Sequence, residues 1–471
     1  MRLGDIAPDL RGADPSLDIV GVTADSRQVA PGMLFAALKG AKFDGTRFAA
    51  DAVAAGAVAI LAAEDAGIDV AVPVLRDPDP RRRLALMAAA LAGPQPEVIV
   101  AVTGTAGKTS VAEFTRQIFA AAGHTAVSIG TIGIRGAVDV PGGLTTPDPV
   151  ALAKELADLA GAGVTHVALE ASSHGIDQRR LDGVRLTAAA FTNIGRDHLD
   201  YHATPEAYLK AKLRLFETLQ PDAARTVVNP DAPGAEAVLA AAPGAFTVGR
   251  HGTGLTLVST ERHPGGAHLV LEGEGRHEVD LPLIGDFQID NALVAAGLAI
   301  VSGVPAAEAV AALASLKGAP GRLELVGRAH GAPVFVDYAH KPDAISAALA
   351  ALRSDVPGRL VIVVGAGGDR DPGKRPLMGA AAAAIADVVI VTDDNPRTED
   401  PARIRAAVLA GAPDATEIAD RGEAIATAVA MLREGDALVV AGKGHEEGQY
   451  VGDRVIPFSD HSAVKAAIAA L

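Results

Sequence analysis

The sequence predicts an α/β protein of three domains. These are a small α/β domain over residues 1–92, a central domain over 93–323, and a C-terminal domain over 324–471. The central domain is expected to be a phosphate-loop, ATPase-like parallel sheet with a small antiparallel addition, and the last a Rossmann-like doubly wound sheet. Three observations carry this. Residues 98–123, VIVAVTGTAGKTSVAEFTRQIFAAAG, read as buried strand, glycine loop and apolar-periodic helix. Beyond residue 324, short apolar strands alternate with helices and each strand runs into a polar loop. A length of 471 residues suits roughly three cores of ~150 residues each.

Composition narrows the classes of function. A formal net charge of −15 argues against nucleic acid or an anionic membrane as the main partner, while leaving room for a local basic pocket. With no cysteine, the chain has no disulfides, thiol nucleophiles or cysteine-ligated zinc. MRLGDIAPDL lacks the apolar stretch of a signal peptide, and glycine or charge interrupts the alanine-rich segments before they reach bilayer length, so a soluble cytoplasmic protein without membrane insertion is expected.

In the first domain, strands are expected at 18–22, 34–38 and 57–61, with helices at 45–55 and 82–92. Asp25, Ser26 and Arg27 precede a Pro-Gly turn. A serine hydroxyl beside an arginine suits a pyrophosphate or uridine, although Asp-Ser-Arg in a turn is ordinarily a solvated cap. Ala92-Gly93-Pro94-Gln95-Pro96 reads as a linker.

The phosphate loop opens the central domain. Gly104 and Gly107 permit a tight turn that aims backbone N–H groups at one point, and the helix start adds the positive end of its dipole. Lys108 can reach the outer phosphates of a nucleotide, and the Thr109 hydroxyl can hold a bridging magnesium ion. The general pattern places another glycine at position 102, where this chain has Val102. The loop predicts a nucleoside triphosphate and magnesium without distinguishing kinase, switch and ligase.

Further along, a strand near 125–129 precedes LTTPDP, whose Thr145 and Thr146 stand before a helix starting near Asp148. The strand 166–169 ends in Glu170, an acid at the carboxyl edge of a parallel sheet and so placed for magnesium. SSHGIDQRR clusters Ser172, His174, Gln178 and Arg180. A strand at 188–192 runs into NIGRDHLDYH, where His198 between Asp197 and Asp200 suits either a metal ligand or a hydrogen-bonded loop histidine. The helix 205–219 carries Lys210, Lys212 and Arg214, a pattern that by itself reads as a solvated face. Alternating residues at 250–283 predict the antiparallel addition, Asn291 falls in the first turn of an apolar helix, and Arg322 stands near the next boundary.

In the last domain, strands at 334–336, 360–364, 388–391 and 437–441 alternate with helices near 343–353, 376–386, 401–410 and 421–433. The strand ends run into DYAHKPD, GAGGDRDPGKRP, TDDNPRTED and AGKGHEEGQ. In a parallel sheet these four loops share one edge, where Arg370, Asp394, Arg397, His445 and Glu446 can surround a small charged ligand.

With these motifs in order, the sequence resembles the Mur ligases, and among them the branch that adds the third residue of the peptidoglycan stem. DSRQVAPGMLF, TGTAGKTS, LTTPDP, LEASSHGIDQRR, FTNIGRDHLDYH, YLKAK, PGRLE, VDYAHKPD, GAGGDRDPGKRPLMG, TDDNPR and GKGHE carry the likeness across all three domains. The resemblance implies that Gly104, Thr105, Ala106, Gly107, Lys108, Thr109 and Ser110 cradle ATP. Asn291, Arg322, Asp337 and His340 would stand around the rest of the nucleotide or close on it. It implies Thr109, Glu170 and His198 as magnesium ligands, and Lys212 as a carbamylated lysine, against the solvated-face reading. Ser26, Thr145, Thr146, Ser172, Gln178 and Arg180 would contact a UDP-N-acetylmuramoyl dipeptide. Arg370, Asp394, Asn395, Pro396, Arg397, Gly442 and Glu446 would hold the incoming amino acid. The first domain would then bind UDP, although Thr46 stands where relatives often carry histidine.

Such a chain is expected to work as a monomer. It would use ATP to turn a carboxylate into an acyl phosphate, which an amine then attacks, with Lys108 and magnesium offsetting the repulsion between the two anions. Arg397 can fork onto a carboxylate, which favours meso-diaminopimelate over L-lysine. The alternatives are the same ligation with L-lysine, a folylpolyglutamate-synthetase-like ligase, and a regulatory ATP-binding protein.

Overall fold

A computed structural model describes the chain except for residues 10, 11, 41–43, 196, 198–200 and 264. His198 therefore lies outside the described residues. The chain divides into two compact units: one of Met1–Val258, Leu271–His277 and Asn291–Ala312, the other of Ser259–Val270, Glu278–Asp290 and Leu313–Leu471.

The first unit begins with a four-stranded sheet, β1 (Gly21–Thr23), β2 (Met33–Ala36), β3 (Ala59–Ala63) and β4 (Val74–Asp77), in sequence order. Its strands are parallel, with Val22 opposite Leu34 and Leu61 opposite Leu75. One face packs Ile19, Leu34 and Leu61 against Leu84 and Met87 of the helix Pro80–Ala92. That helix starts two residues earlier than predicted, because the Asp79 side chain accepts from Arg82 N and Pro80 is tolerated in the first turn. The helix predicted at 45–55 breaks into a 3-10 turn, Gly45–Phe48, and a short α-helix, Ala49–Ala54.

Next come β5 (Val98–Thr103), β6 (Ala126–Gly130), β7 (Gly133–Gly136), β8 (His166–Glu170), β9 (Ala188–Phe191), β10 (Thr226–Val228), β11 (Phe246–Gly249), β12 (Leu255–His263), β13 (Gly266–Gly273) and β14 (Gly275–Leu281). They form one sheet in the order β14-β13-β12-β11-β10-β9-β5-β8-β6-β7. The addition expected at 250–283 forms one edge of the central sheet: β12 pairs with β11 through Val248 and Leu255, and β13 and β14 follow it outward. β5 lies between β8 and β9, parallel to both. Parallel strands bring the ends of β5, β8 and β9 to one edge, which places the phosphate loop beside Glu170 and Thr192.

The second unit contains β15 (Glu324–Ala329), β16 (Ala332–Asp337), β17 (Leu360–Val364), β18 (Val388–Val391), β19 (Thr416–Glu417) and β20 (Ala437–Ala441), followed by a hairpin of β21 (Gly448–Val451) and β22 (Arg454–Pro457). The sheet order is β15-β16-β20-β17-β18-β19. Only β15 is antiparallel to its neighbour. The inner strands are apolar throughout because both faces are covered: Ile362 and Val439 face one cluster, Val361 and Val440 the other. Crossing from β16 to β20 and back to β17 gathers the loops after β16, β17, β18 and β20 at the carboxyl edge, as expected from the strand pattern.

Candidate functional site

The phosphate loop sits between β5 and the helix Lys108–Ala121. Its two glycines are required by geometry. Gly104 has φ +152°, and a Cβ there would lie 1.8 Å from Thr192 Oγ1; Gly107 has φ +86°, and a Cβ would lie 2.5 Å from Asn291 Oδ1. The same packing holds the loop: Thr192 Oγ1 donates to Ala106 O at 2.6 Å, Ala106 N donates to Asn193 Oδ1 at 3.0 Å, and Thr105 Oγ1 lies 3.2 Å from Tyr208 OH. Thr109 and Ser110 are buried in the first helical turn. Asn291 joins this group, although its helix, Asp286–Val301, begins five residues earlier and puts it beyond the first turn.

Two lysines converge on the loop. Lys108 Nζ donates to Gly104 O at 2.9 Å and Thr105 O at 3.0 Å, and Lys212 Nζ donates to Gly104 O at 2.7 Å. Lys212 is only 1% exposed, with its amine 4.4 Å from the Tyr208 ring centroid. This corrects the solvated-face reading of its helix: Lys210 is exposed, Lys212 is buried, and Arg214 pairs with Asp182. Burial first, and then the Lys108 charge, pull the Lys212 amine well below the usual lysine range. Burial also pushes the Tyr208 phenol up to about 12.

A polar row extends from the end of β8. Glu170, buried, accepts from Thr131 N at 2.9 Å and Thr131 Oγ1 at 3.3 Å, and Thr131 Oγ1 lies 3.0 Å from Thr145 Oγ1. Thr146 Oγ1 donates to Glu170 O at 2.8 Å and lies 3.0 Å from Ser172 Oγ. Arg180 donates to Thr146 O at 2.6 Å and to Gln178 Oε1 at 2.8 Å. Thr145, Thr146, Glu170, Ser172, Gln178 and Arg180 thus form one connected group. Ser26 stands apart from it in the 3-10 turn Ser26–Gln28 after β1, where Asp25 caps Arg27 N and grips the Arg27 side chain. Thr46 donates both its N and its hydroxyl to Asp44 Oδ1.

In the second unit, Asp337 ends β16 and accepts from Leu323 N at 2.6 Å and Ala339 N at 2.7 Å. Burial nevertheless pushes its carboxyl above the usual range. Arg322 lies 4.8 Å from the Tyr338 ring centroid, and His340 Nδ1 lies 2.8 Å from Tyr338 O. Burial pulls the His340 imidazole down to about 4, so it is neutral at pH 7.

The loops after β17, β18 and β20 make a second polar cluster. Arg397 adopts φ +52°, and its backbone is clamped by Arg397 N donating to Tyr450 O at 2.9 Å and Gly452 N donating to Arg397 O at 2.7 Å. Its guanidinium turns to Gly368 O at 2.7 Å. The two acids that follow it in sequence are engaged elsewhere: Arg375 holds Glu399 at 2.8 Å, and Asp400 caps the next helix. Asn395 Nδ2 donates to Glu446 Oε2 at 2.8 Å, and Asp394 Oδ2 would lie 2.6 Å from a Cβ at Gly442. Pro396 packs its carbonyl where only Gly368 fits, 1.9 Å from a hypothetical Cβ. Arg370 is exposed and donates to Asp369 O.

Sequence reasoning missed two cations here. Lys443, fully buried, donates to Asn395 Oδ1 at 2.8 Å. Arg421 is buried beneath the loops, forked onto Asp460 and donating to Ala441 O at 3.0 Å. The GKGHE motif already held the signal for Lys443. For Arg421 there was none, since an arginine after Asp420 at a helix start reads as solvated.

Three family models match the chain: "Mur ligase family, catalytic domain" over residues 18–92, "Mur ligase middle domain" over 102–299, and "Mur ligase, glutamate ligase domain" over 321–444. A UDP-N-acetylmuramoyl-L-alanyl-D-glutamate–2,6-diaminopimelate ligase of Brucella melitensis is 58% identical over 99% of this chain and 96% of its own length. One of the same name from Mesorhizobium japonicum is 57% identical over 99% of each. A solved structure bearing that name is 34% identical, with a TM-score of 0.73 over 100% of this chain and 99% of its own.

Proposed function

The chain belongs to the Mur ligase family, and we infer that it ligates meso-2,6-diaminopimelate to the D-glutamate γ-carboxyl of UDP-N-acetylmuramoyl-L-alanyl-D-glutamate, with ATP converted to ADP and phosphate. The observation that carries this reading is that one chain holds both a phosphate loop and, on a separate sheet, a cluster of paired charges around Arg397. A switch protein needs only the first. Three domains, 1–92 for UDP, 93–323 for ATP and 324–471 for the amino acid, divide the work, and the enzyme acts in the cytoplasm as a monomer. Among the described residues, no helix is long and apolar enough to cross a membrane.

In this reading the backbone from Gly104 to Ser110 cradles the ATP phosphates, with Lys108 leaving its carbonyl partners to neutralise the transferring phosphoryl group. Asn291 borders the same loop, and Arg322, Asp337 and His340 are assigned to the rest of the nucleotide by the family resemblance. Ser26, Thr145, Thr146, Ser172, Gln178 and Arg180 orient the UDP substrate so that its carboxylate meets the γ-phosphate. Magnesium fits the donors present: a buried Thr109 hydroxyl, the Glu170 carboxylate held by Thr131, and Lys212, whose amine is buried at the phosphate loop. With His198 and a carbamate on Lys212, these residues would hold the ion, which would supply charge neutralisation between the two anions. Arg397 grips the distal carboxylate of diaminopimelate, and Asp394 and Glu446 take its ammonium, with Arg370, Asn395, Pro396 and Gly442 shaping the pocket. The reacting amine then attacks the acyl phosphate, and phosphate leaves.

Orthophosphate release by purified protein tests the reading. With ATP and the UDP-muramoyl dipeptide present, release is expected with meso-diaminopimelate and not with L-lysine. Equal release with both, or release that needs no amino acid, overturns it.

A further inference from the structure

Lys443 touches three polar side chains of the Arg397 cluster while being closed off from solvent. It is 0% exposed, in the loop two residues past the end of β20. Its ammonium donates to Asn395 Oδ1 at 2.8 Å and lies 3.3 Å from Glu446 Oε2 and 3.7 Å from Asp394 Oδ1. Asn395 completes the link by donating to Glu446 Oε2 at 2.8 Å, and its Oδ1 also accepts from Tyr450 N at 3.1 Å. One cation therefore binds the loop after β18, the loop after β20 and, through Asn395, the β21 strand that clamps Arg397.

Two carboxylates at such separations from a common point repel each other unless a cation stands with them, and a buried cation is tolerated only when its donors are satisfied. Lys443 meets both demands. Being enclosed, it is a partner of the protein groups. Resting on the reading of this cluster as the amino-acid pocket, we propose that Lys443 is the positioning residue of that pocket: it holds Asn395 and offsets the repulsion between Asp394 and Glu446, so that both acids stand ready for the substrate ammonium. Its removal acts on amino-acid binding and leaves the nucleotide side of the reaction alone.

The test compares wild type, Lys443→Met, Lys443→Gln and Lys443→Arg by steady-state kinetics, with thermal unfolding as a fold control. Loss of a buried charge contact predicts a rise of at least about ten-fold in the KM for meso-diaminopimelate in the Met and Gln variants. Their KM for ATP should stay within about three-fold and kcat should fall far less than kcat/KM, while Lys443→Arg, which keeps the charge, should recover part of the loss. An unchanged diaminopimelate KM overturns the proposal, as does a uniform fall in kcat with every KM unchanged. If neither neutral variant folds, calorimetric binding of diaminopimelate to Lys443→Arg decides: affinity equal to wild type marks a fold role and overturns it, while weakened affinity with ATP binding unchanged supports it. A wild-type enzyme that fails to ligate diaminopimelate would instead refute the function reading itself.

Discussion

Lys212 donates from a buried amine to the carbonyl oxygen of Gly104, 2.7 Å away, so a lysine 108 residues along the chain anchors the first glycine of the phosphate loop. An ammonium buried beside a second lysine is unfavourable, which is why burial and Lys108 together pull its pKa down. A lowered pKa makes the proton easier to lose, and the amine that has lost it is nucleophilic. It can add to carbon dioxide, its nitrogen forming the new bond and losing a proton, to give a carbamate anion.

Lys212→Ala should therefore be nearly inactive and partly rescued by short carboxylic acids that restore the anion. Wild type supplied with carbon-13 bicarbonate should show a carbamate carbon resonance that the variant lacks. Full activity of Lys212→Ala without additive would end this assignment.

The Arg397 backbone is fixed by a left-handed conformation and two bonds to the β21–β22 hairpin, and its guanidinium is held at Gly368 O. Loss of a desolvated charge pair costs about 2–5 kcal/mol, or at least about thirty-fold in affinity. Arg397→Ala should raise the KM for meso-diaminopimelate by that factor and leave that for ATP within a few-fold. Arg397→Lys should rescue little, because an ammonium cannot fork. Unchanged diaminopimelate binding in Arg397→Ala would show that the fork points elsewhere.

Arg421 and Asp460 form an ion pair with both side chains 0% exposed. Removing one partner strands the other charge, at about 3–5 kcal/mol, whereas replacing both by apolar residues can restore much of the stability. Arg421→Met should lower the unfolding midpoint sharply, and Arg421→Met with Asp460→Leu should recover a large part of it. The double variant still lacks the bond to Ala441 O, so its KM for the amino acid should stay raised. Additive destabilisation in chemical denaturation would contradict this coupling.

His166, at the start of β8, stacks on His124 at 3.8 Å with the Phe119 edge at 4.7 Å. Burial, then the His124 charge, lower its pKa to about 4. Above the ordinary value of about 6.5 the ring is neutral folded and unfolded, so no stability is at stake; between 6.5 and 4 only the unfolded chain takes up the proton, and stability falls with falling pH by up to about 1.4 kcal/mol per unit. His166→Phe suits the aromatic stack and should flatten the fall in urea midpoint over that window. An identical acid-side slope in the variant would remove His166 as its source.

Local sequence determined most of the framework. Strands such as Val98–Thr103 and Leu360–Val364 were legible because a strand covered on both faces is an unbroken apolar run, and the phosphate loop because its glycines and Lys108 are adjacent in the chain. Convergence of the four polar loops followed from parallel strand direction alone. Tertiary structure decided what depends on distant partners. Lys212 and Lys210 look alike in a polar helix, and only docking against Gly104 and Tyr208 buries one of them. Residues 255–281 alternate as any two-faced strand does, so nothing local revealed that β12 would extend the central sheet. Lys443 and Arg421 gain their roles from Asn395 and Asp460, 48 and 39 residues away, and Arg397 bonds Gly368 O while Glu399 pairs with Arg375. A charge is buried or solvated according to who else arrives, and that is settled by packing, not by neighbours in sequence.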